Sequence, residues 1–299
     1  MRVVRPHAIV SKLTIFAHAL IFTGFAALAG CTSNDSPGQA PLGDASFASD
    51  AAAGDATSDG PLDAPGDRAA DDAAHAPGCL AGMVRIGAFC VDRYEAFVVE
   101  LDANGNEVPH SPYQVMPDGG RVRAKVAPGV VPQGYISQRQ ATAACVAAGK
   151  RLCSATEFAL ACRGADAGSD YPYGGTTRVP GDCNEGKGSS MVRFFGTDPA
   201  LWTYAEFNDP RLNDWDGGLA TTGAYAKCVS PYGVYDCVGN LHEWGSDPAD
   251  VNGHGRFRGG FYGDAEINGH GCLYVTSAHE LAYHDYSTGF RCCMDATTP

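Results

Sequence analysis

The side chains in this chain best able to do chemistry are its twelve cysteines and a group of histidines crowded into its C-terminal third. His242, His254, His270, His279 and His284 fall near Asp264, Glu266 and Glu280 in the sequence. Two imidazoles and a carboxylate with three open positions would suit a non-haem iron that activates oxygen. A metal-dependent oxidoreductase is therefore one function to carry forward. The histidines lack ligand spacing, however, since no His-x-x-x-His occurs among them. His242-Glu243-Trp244 lacks the second histidine of a zinc protease, and there is no Gly-x-Ser-x-Gly, so hydrolase readings have no residue support. No Cys-x-x-Cys occurs either, which argues against a zinc ribbon or a thioredoxin-like dithiol.

These side chains need elements to hold them. Ser137-Gln-Arg-Gln140 and Ser154-Ala-Thr-Glu157 follow the Ser-x-x-Glu/Gln pattern, in which the serine oxygen accepts from the third helical amide and the acid or amide reaches back. Each is expected to open a short helix. The first carries Ala141, Ala144, Cys145 and Ala148 at helical spacing and stops at Gly149. The second carries Phe158, Ala161 and Cys162 and stops at Gly164, so both helices turn a cysteine inward. Residues 83–86, 89–99 and 257–262 read as strands. The rest, with its heavy use of glycine and proline, reads as loops, and no internal repeat is visible.

At the N-terminus, Arg2, Arg5 and Lys12 precede an apolar run from Leu13 to Ala29, shorter than the roughly 20 residues that span a bilayer. Residues 1–31 therefore read as an export signal. The ending Leu28-Ala-Gly-Cys31 resembles a bacterial lipobox, which implies cleavage before Cys31 and its lipidation. The protein is then expected at the cell envelope, anchored in a membrane and facing the periplasm or the cell surface. Residues 32–78 hold nine aspartates, one arginine and one aromatic, Phe47. Such a stretch buries too little apolar surface to offset the entropy of ordering it, and reads as a flexible tether.

Of the formal charge of −13, the leader contributes +3 and the tether −8, leaving −8 on residues 79–299. Nothing there would neutralise phosphates, so no nucleic-acid partner is expected. That stretch is long enough for one sizeable core and is read as one domain. A loop-rich exported domain needs covalent staples. Without Cys31, eleven cysteines remain, enough for five pairs with one left over.

Several short tracts then acquire meaning together: Met83-Val-Arg-Ile86, Asp92-Arg-Tyr-Glu95, Gly149-Lys-Arg-Leu152 with Thr156-Glu-Phe158, and Tyr171-Pro-Tyr-Gly174. They are followed by Gly233-Val-Tyr-Asp-Cys-Val-Gly-Asn-Leu-His-Glu-Trp244, Arg258-Gly-Gly260 and Gly289-Phe-Arg-Cys292. In order and spacing these tracts resemble the formylglycine-generating enzyme family, or sulfatase-modifying factor domain, from about Cys79 to Cys293. The resemblance implies an α+β fold, a loop-rich, disulfide-stapled variant of the C-type lectin-like fold.

The resemblance also implies two disulfides, Cys145 with Cys292 and Cys162 with Cys272. Cys79 with Cys90 and Cys183 with Cys228 are read as further pairs. Of the three cysteines left, Cys153 with Cys293 is favoured, because each adjoins a neighbourhood already joined to the other's; Cys237 is then the free thiol. In this family a structural calcium ion sits on the turn that corresponds here to residues 236–243. Its ligands would be the side chains of Asp236 and Glu243 and the carbonyls of Gly239 and Leu241, all hard oxygen donors. Asn184 resembles a ligand of a second calcium site.

The chemistry of the family does not transfer. Its reaction, on a cysteine of a sulfatase, uses two cysteines that hold copper. The corresponding positions are Asp264 and Gly269, and a carboxylate with a glycine lacks the thiolate softness that selects Cu(I). Cys272, the one cysteine between Arg258 and Phe290, is needed for its disulfide. Phe261 stands where the family has serine, and His242 where it has tryptophan. No catalytic residue is carried over and no copper is expected. The expected role is a binding or structural module, with a peptide, glycan or small molecule as ligand. Trp202, Tyr204, Phe207, Trp215 and Tyr225 lie in loop sequence where such a ligand would be met, or where the core would be built.

Overall fold

Both serine-capped helices form; the first ties its cysteine to Cys292 in the C-terminal strand and the second ties its own to Cys272. The computed structural model describes residues 76–117, 119–251 and 253–297. The export signal with Cys31 and most of the tether lie outside them. In the first helix, α1 (Gln138–Ala147), Ser137 accepts from Gln140 N and Gln140 reaches back to the cap. In the second, α2 (Ala155–Arg163), Ser154 and Glu157 do the same, and Gly164 ends the helix at φ 73°. Between the two helices lies a two-residue strand, Arg151–Leu152.

The described strands form three sheets. In the first, Met83–Ile86 (β1), Phe89–Asp92 (β2), Cys292–Asp295 and Arg151–Leu152 lie side by side. A second, small sheet is made by Phe97–Leu101 (β3), Glu107–Pro109 (β4) and Val122–Lys125 (β5), with β5 against α1. With Arg151–Leu152 as β6, the third sheet consists of His242–Pro248 (β7), His254–Arg258 (β8), Val275–Glu280 (β9) and Thr288–Gly289 (β10), in the order β10-β7-β8-β9. Cys292–Asp295 is then β11.

Strand β11 is the seam of the fold. Successive side chains on a strand point to opposite faces, so Cys292 and Cys293 serve two different cores. Cys292 joins Cys145 of α1 in a cluster with Leu152, Trp244, Phe257 and Phe290. Cys293 joins Cys153 in a cluster with Val84, Val91 and Phe158. A third cluster holds Tyr135, Leu212, Leu241, Tyr262 and Tyr286. The remaining disulfides are Cys79–Cys90, Cys162–Cys272 and Cys183–Cys228, and Cys237 is a buried free thiol.

Two strand expectations are corrected. Residues 89–99 are not one strand but β2 and β3, because the chain leaves the ladder between them: Arg93 N donates to Gly82 O and Ala96 N to Phe290 O. That break turns Glu95 into the interior, fully buried. The strand expected over 257–262 is β8, which begins at His254 and ends at Arg258. Gly259 and Gly260 stop it with φ of 82° and 74°, and a Cβ on Gly259 would stand 2.4 Å from the Cys237 carbonyl oxygen. Two short helices within sequence read as loop, α3 (Ser190–Phe195) and α4 (Tyr204–Phe207), were not anticipated.

The entropic cost of closing a loop makes the staples unequal. Cys145–Cys292 closes a separation of 147 residues and Cys79–Cys90 one of 11. Replacing both cysteines of the first pair by alanine is expected to cost about 5 kcal/mol, and of the second about 3 kcal/mol. Urea unfolding of the two double variants checks the ranking, and equal losses would show that loop entropy is not what these bonds restrict.

Candidate functional site

Residues 236–241 form an irregular turn that feeds β7. Asp236 and Asn240 have positive φ, 60° and 55°. A Cβ on Gly239 would stand 2.1 Å from the Asn184 carbonyl oxygen, so this close approach requires glycine. Asn240 N donates to Asn184 O at 2.8 Å. The turn is held by Glu95, whose Oε1 accepts from Leu241 N (3.0 Å) and Oε2 from Asn240 Nδ2 (2.5 Å). Asn240 Oδ1 accepts in turn from Asn184 Nδ2 (2.8 Å) and Ala220 N (2.9 Å). Asn184 Nδ2 also donates to Gly218 O, while Asn184 Oδ1 is buried without a hydrogen-bond donor.

Glu243 is gripped by Arg291, whose Nε and Nη2 each donate to it at 2.6 Å. Arg291 Nη1 donates to Asp92 O (3.1 Å) and Nη2 also to Tyr235 O (2.9 Å). Asp92 accepts from Lys150 Nζ (2.5 Å) and Cys292 N (3.0 Å). Four buried carboxylates, Asp92, Glu95, Asp236 and Glu243, thus share the interior with two cations, Lys150 and Arg291. Burial raises the pKa of all four. Glu95 goes well above its ordinary value, pushed further by the charges of Asp236 and Glu243, and Asp236 goes up to about 6.

This environment bears on the expected calcium. The carbonyls of Gly239 and Leu241 accept no hydrogen bond among the described residues, and Asp236 Oδ2 accepts only from Gly223 N, at 2.7 Å. Excess buried negative charge beside carbonyls without donors is what a hard divalent cation would satisfy. All four expected ligands are hard oxygen donors of the kind calcium takes, and both oxygens of Glu243 already face Arg291. Among the described residues no three His, Cys, Asp or Glu side chains are placed together to hold a metal ion. The calcium set needs only two such side chains.

Asp264 and Gly269, at the positions of the family's cysteine pair, have other uses. Phe261 and Asp264 close a tight loop by reciprocal backbone bonds of 2.8 and 3.0 Å. Asp264 Oδ1 accepts from Glu266 N (3.0 Å) and Ile267 N (3.3 Å), so the carboxylate caps the next turn. Gly269 has φ 113°, and a Cβ there would stand 2.8 Å from Leu273 O, so a cysteine would be strained. Cys272 is bonded to Cys162.

The five histidines do not converge. His254 Nδ1 meets Asp250 (2.5 Å), His270 Nδ1 meets Glu266 (2.6 Å), His284 Nδ1 meets Asn208 (2.7 Å), and His279 stacks on Phe257 at 5.0 Å. Glu280 pairs across from His254 in the β8–β9 ladder. His242 stands apart from the others because it is 5% exposed. Its Nδ1 lies 3.1 Å from Ser287 Oγ, which donates to Asp285 Oδ1 at 2.7 Å. With the serine proton committed to Asp285, Ser287 accepts from the imidazole, which puts the ring proton on Nδ1. Nε2 is then a bare acceptor, buried without a donor. Rings of Phe257, Phe261 and Tyr274 surround it at 4.6, 4.9 and 5.3 Å. His242 and Phe261, two departures from the family pattern, therefore touch each other.

Of the loop aromatics, Trp202, Phe207 and Trp215 roof the third core cluster and Tyr225 packs on the first, while Tyr204 is half exposed. They are mostly outer core. Glu95, Asn240, Arg291, Ser287 and Asp285 had no assigned role from sequence. Glu95, Asn240 and Arg291 lay within the motif tracts, and a charged residue amid buried neighbours was the available signal. For Ser287 and Asp285 there was none.

A family model described as the sulfatase-modifying factor enzyme 1-like domain matches residues 79–296. A formylglycine-generating enzyme of Thermomonospora curvata is 28% identical over 217 residues, 63% of this chain and 66% of that protein. The chain thus spans just under two thirds of that relative's length. Among solved structures, PvdO from Pseudomonas aeruginosa superposes with a TM-score of 0.42 at 16% identity, over 69% of this chain and 80% of that one. The P3c variant of Major Tropism Determinant gives 0.40 at 17%, over 72% and 52%.

Burial, with the nearby His279, holds the His242 pKa down at about 3. A histidine depressed in the folded state leaves stability intact above the unfolded pKa of about 6.5 and erodes it as pH falls toward 3. Between pH 7 and 4 the wild type is expected to lose about 3 kcal/mol more than His242→Phe. Unfolding free energies at the two pH values check this, and parallel pH profiles would refute it.

Proposed function

Because this chain belongs to the sulfatase-modifying factor enzyme 1-like family, we propose that it is a lipid-anchored member that serves as a binding or structural module and forms no formylglycine. Its fold is the loop-rich, disulfide-stapled variant of the C-type lectin-like fold. The observation that carries the proposal is the fate of the catalytic pair. Asp264 caps a turn, Gly269 occupies a backbone conformation that resists a side chain, and Cys272 is held in a disulfide. No thiolate pair remains for copper to bind. Cys31 would carry the lipid and residues 32–78 would give the domain reach from the membrane. Its ligand would be a peptide, glycan or small molecule met by the variable loops.

Calcium is the metal proposed for this module, held by Asp236, Glu243 and the carbonyls of Gly239 and Leu241, with Asn184 proposed as a ligand of a second calcium site. The ion would supply structural charge balance: two positive charges against a surplus of buried carboxylate. Nothing catalytic is asked of it.

The purified protein, supplied with copper, oxygen and a sulfatase-derived cysteine peptide, is expected to leave the peptide mass unchanged. Conversion of the cysteine to formylglycine would overturn the proposal, as would stoichiometric iron or copper on metal analysis. A chelator is expected to lower the melting temperature and calcium to restore it. At free calcium about a hundredfold above Kd the gain is ~2.7 kcal/mol. Asp236→Asn should abolish that response, and a melting temperature indifferent to chelator would remove calcium from the account.

A further inference from the structure

The buried acceptor on His242 has no use in the scaffold described so far. Its Nε2 is buried and no protein donor reaches it, a state that native interiors rarely leave unexplained. The ring is also held more firmly than packing alone requires. Asp285, buried, accepts from Ser287 Oγ (2.7 Å), Ser287 N (2.8 Å) and Tyr283 Oη (2.5 Å). Ser287 in turn fixes the His242 tautomer, and His242 N donates to Ser287 O at 2.8 Å. These bonds together hold the ring, and with it the Nε2 lone pair, in place.

The surroundings specify what that lone pair receives. Phe257, Phe261 and Tyr274 offer aromatic surface, which favours a flat apolar body. Tyr274 Oη already accepts from Asn268 Nδ2 at 3.1 Å. A neutral imidazole gives a charged ligand no counter-ion, so a neutral one is favoured. Of the four rings, only that of Phe261 is more than marginally exposed. Its backbone is fixed by the bonds to Asp264, and its ring rests on Gly263, where a Cβ would stand 2.6 Å away. Entry past the Phe261 ring, which also packs on Tyr262 and Tyr286 at 5.3 and 5.7 Å, would leave that backbone in place.

We infer that His242 Nε2 accepts a hydrogen bond from a small, neutral, planar ligand with one O–H or N–H donor, which enters this aromatic cage by displacing the Phe261 ring. The inference rests on the binding-module reading and names the ligand class for it. Metal analysis and the cysteine-peptide assay decide that reading without reference to His242, so the two can fail separately.

The test uses the full chain with ¹⁵N-labelled histidine, titrated with phenol and, as a matched probe without a donor, toluene. Phenol is expected to shift the His242 Nε2 resonance and to bind about tenfold more tightly than toluene. Phe261→Ala is expected to strengthen phenol binding. His242→Phe, which keeps a ring in the cage, is expected to bring the two probes to equal affinity. Equal affinities in the wild type would overturn the inference. So would an Nε2 resonance that phenol leaves unmoved in both the wild type and Phe261→Ala. An Nε2 hydrogen-bonded before any probe is added, and unmoved afterwards, would mark a trapped water only and equally overturn it.

Discussion

The ion pair between Arg291 and Glu243 is buried on both sides, with side chains 1% and 2% exposed, and it joins three separate parts of the chain. Nε and Nη2 serve Glu243, at the start of β7; Nη1 reaches the carbonyl of Asp92, at the end of β2, and Nη2 also that of Tyr235, before the turn. An arginine suits this place because its planar fork satisfies a carboxylate and two carbonyls at once. Taking both charges out of water is costly, and the Coulombic gain offsets that cost only when the remaining polar atoms are also bonded. Removal of Arg291 would leave Glu243 a further uncompensated carboxylate beside Asp92, Glu95 and Asp236. The pair thus sets one register of the C-terminal segment against the rest.

That register decides where Cys292 and Cys293 point. With Arg291 fixed, the next residue faces α1 and the one after faces Cys153, and the two bonds close separations of 147 and 140 residues. Local structure is sparse in this domain, with two helices of more than six residues among those described. Covalent and ionic constraints between distant segments take over work that longer helices and strands do in other folds.

The same economy shapes the segment after Arg258-Gly-Gly260. Asp264 caps the turn that follows it, which orders the loop through backbone amides. Phe261 and His242 fill adjoining space with two rings. The loop thus has its own set of bonds, and the buried Nε2 of His242 is the polar atom they leave without a protein partner.

Local rules made the capped helices legible in the sequence, because Ser137–Gln140 and Ser154–Glu157 interact within one turn. Motif order revealed the family, and the resemblance implied the pairs Cys145–Cys292 and Cys162–Cys272, which form; the other three pairs and the free Cys237 also match those read beside it. The strand break at Arg93–Ala96 and the stop at Gly259 were not legible. Both arise from carbonyls and amides supplied by segments far away in sequence, Phe290 in one case and Cys237 in the other. The site divides in the same way. Asp236 and Glu243 were singled out by the family resemblance, whereas the charge that surrounds them comes from Asp92, Glu95 and Arg291, brought together only by the fold. For His242 the sequence determined a residue type in an unusual place. Its tautomer, its burial and its vacant acceptor depend on Ser287 and Asp285, more than forty residues on, and only tertiary packing could decide them.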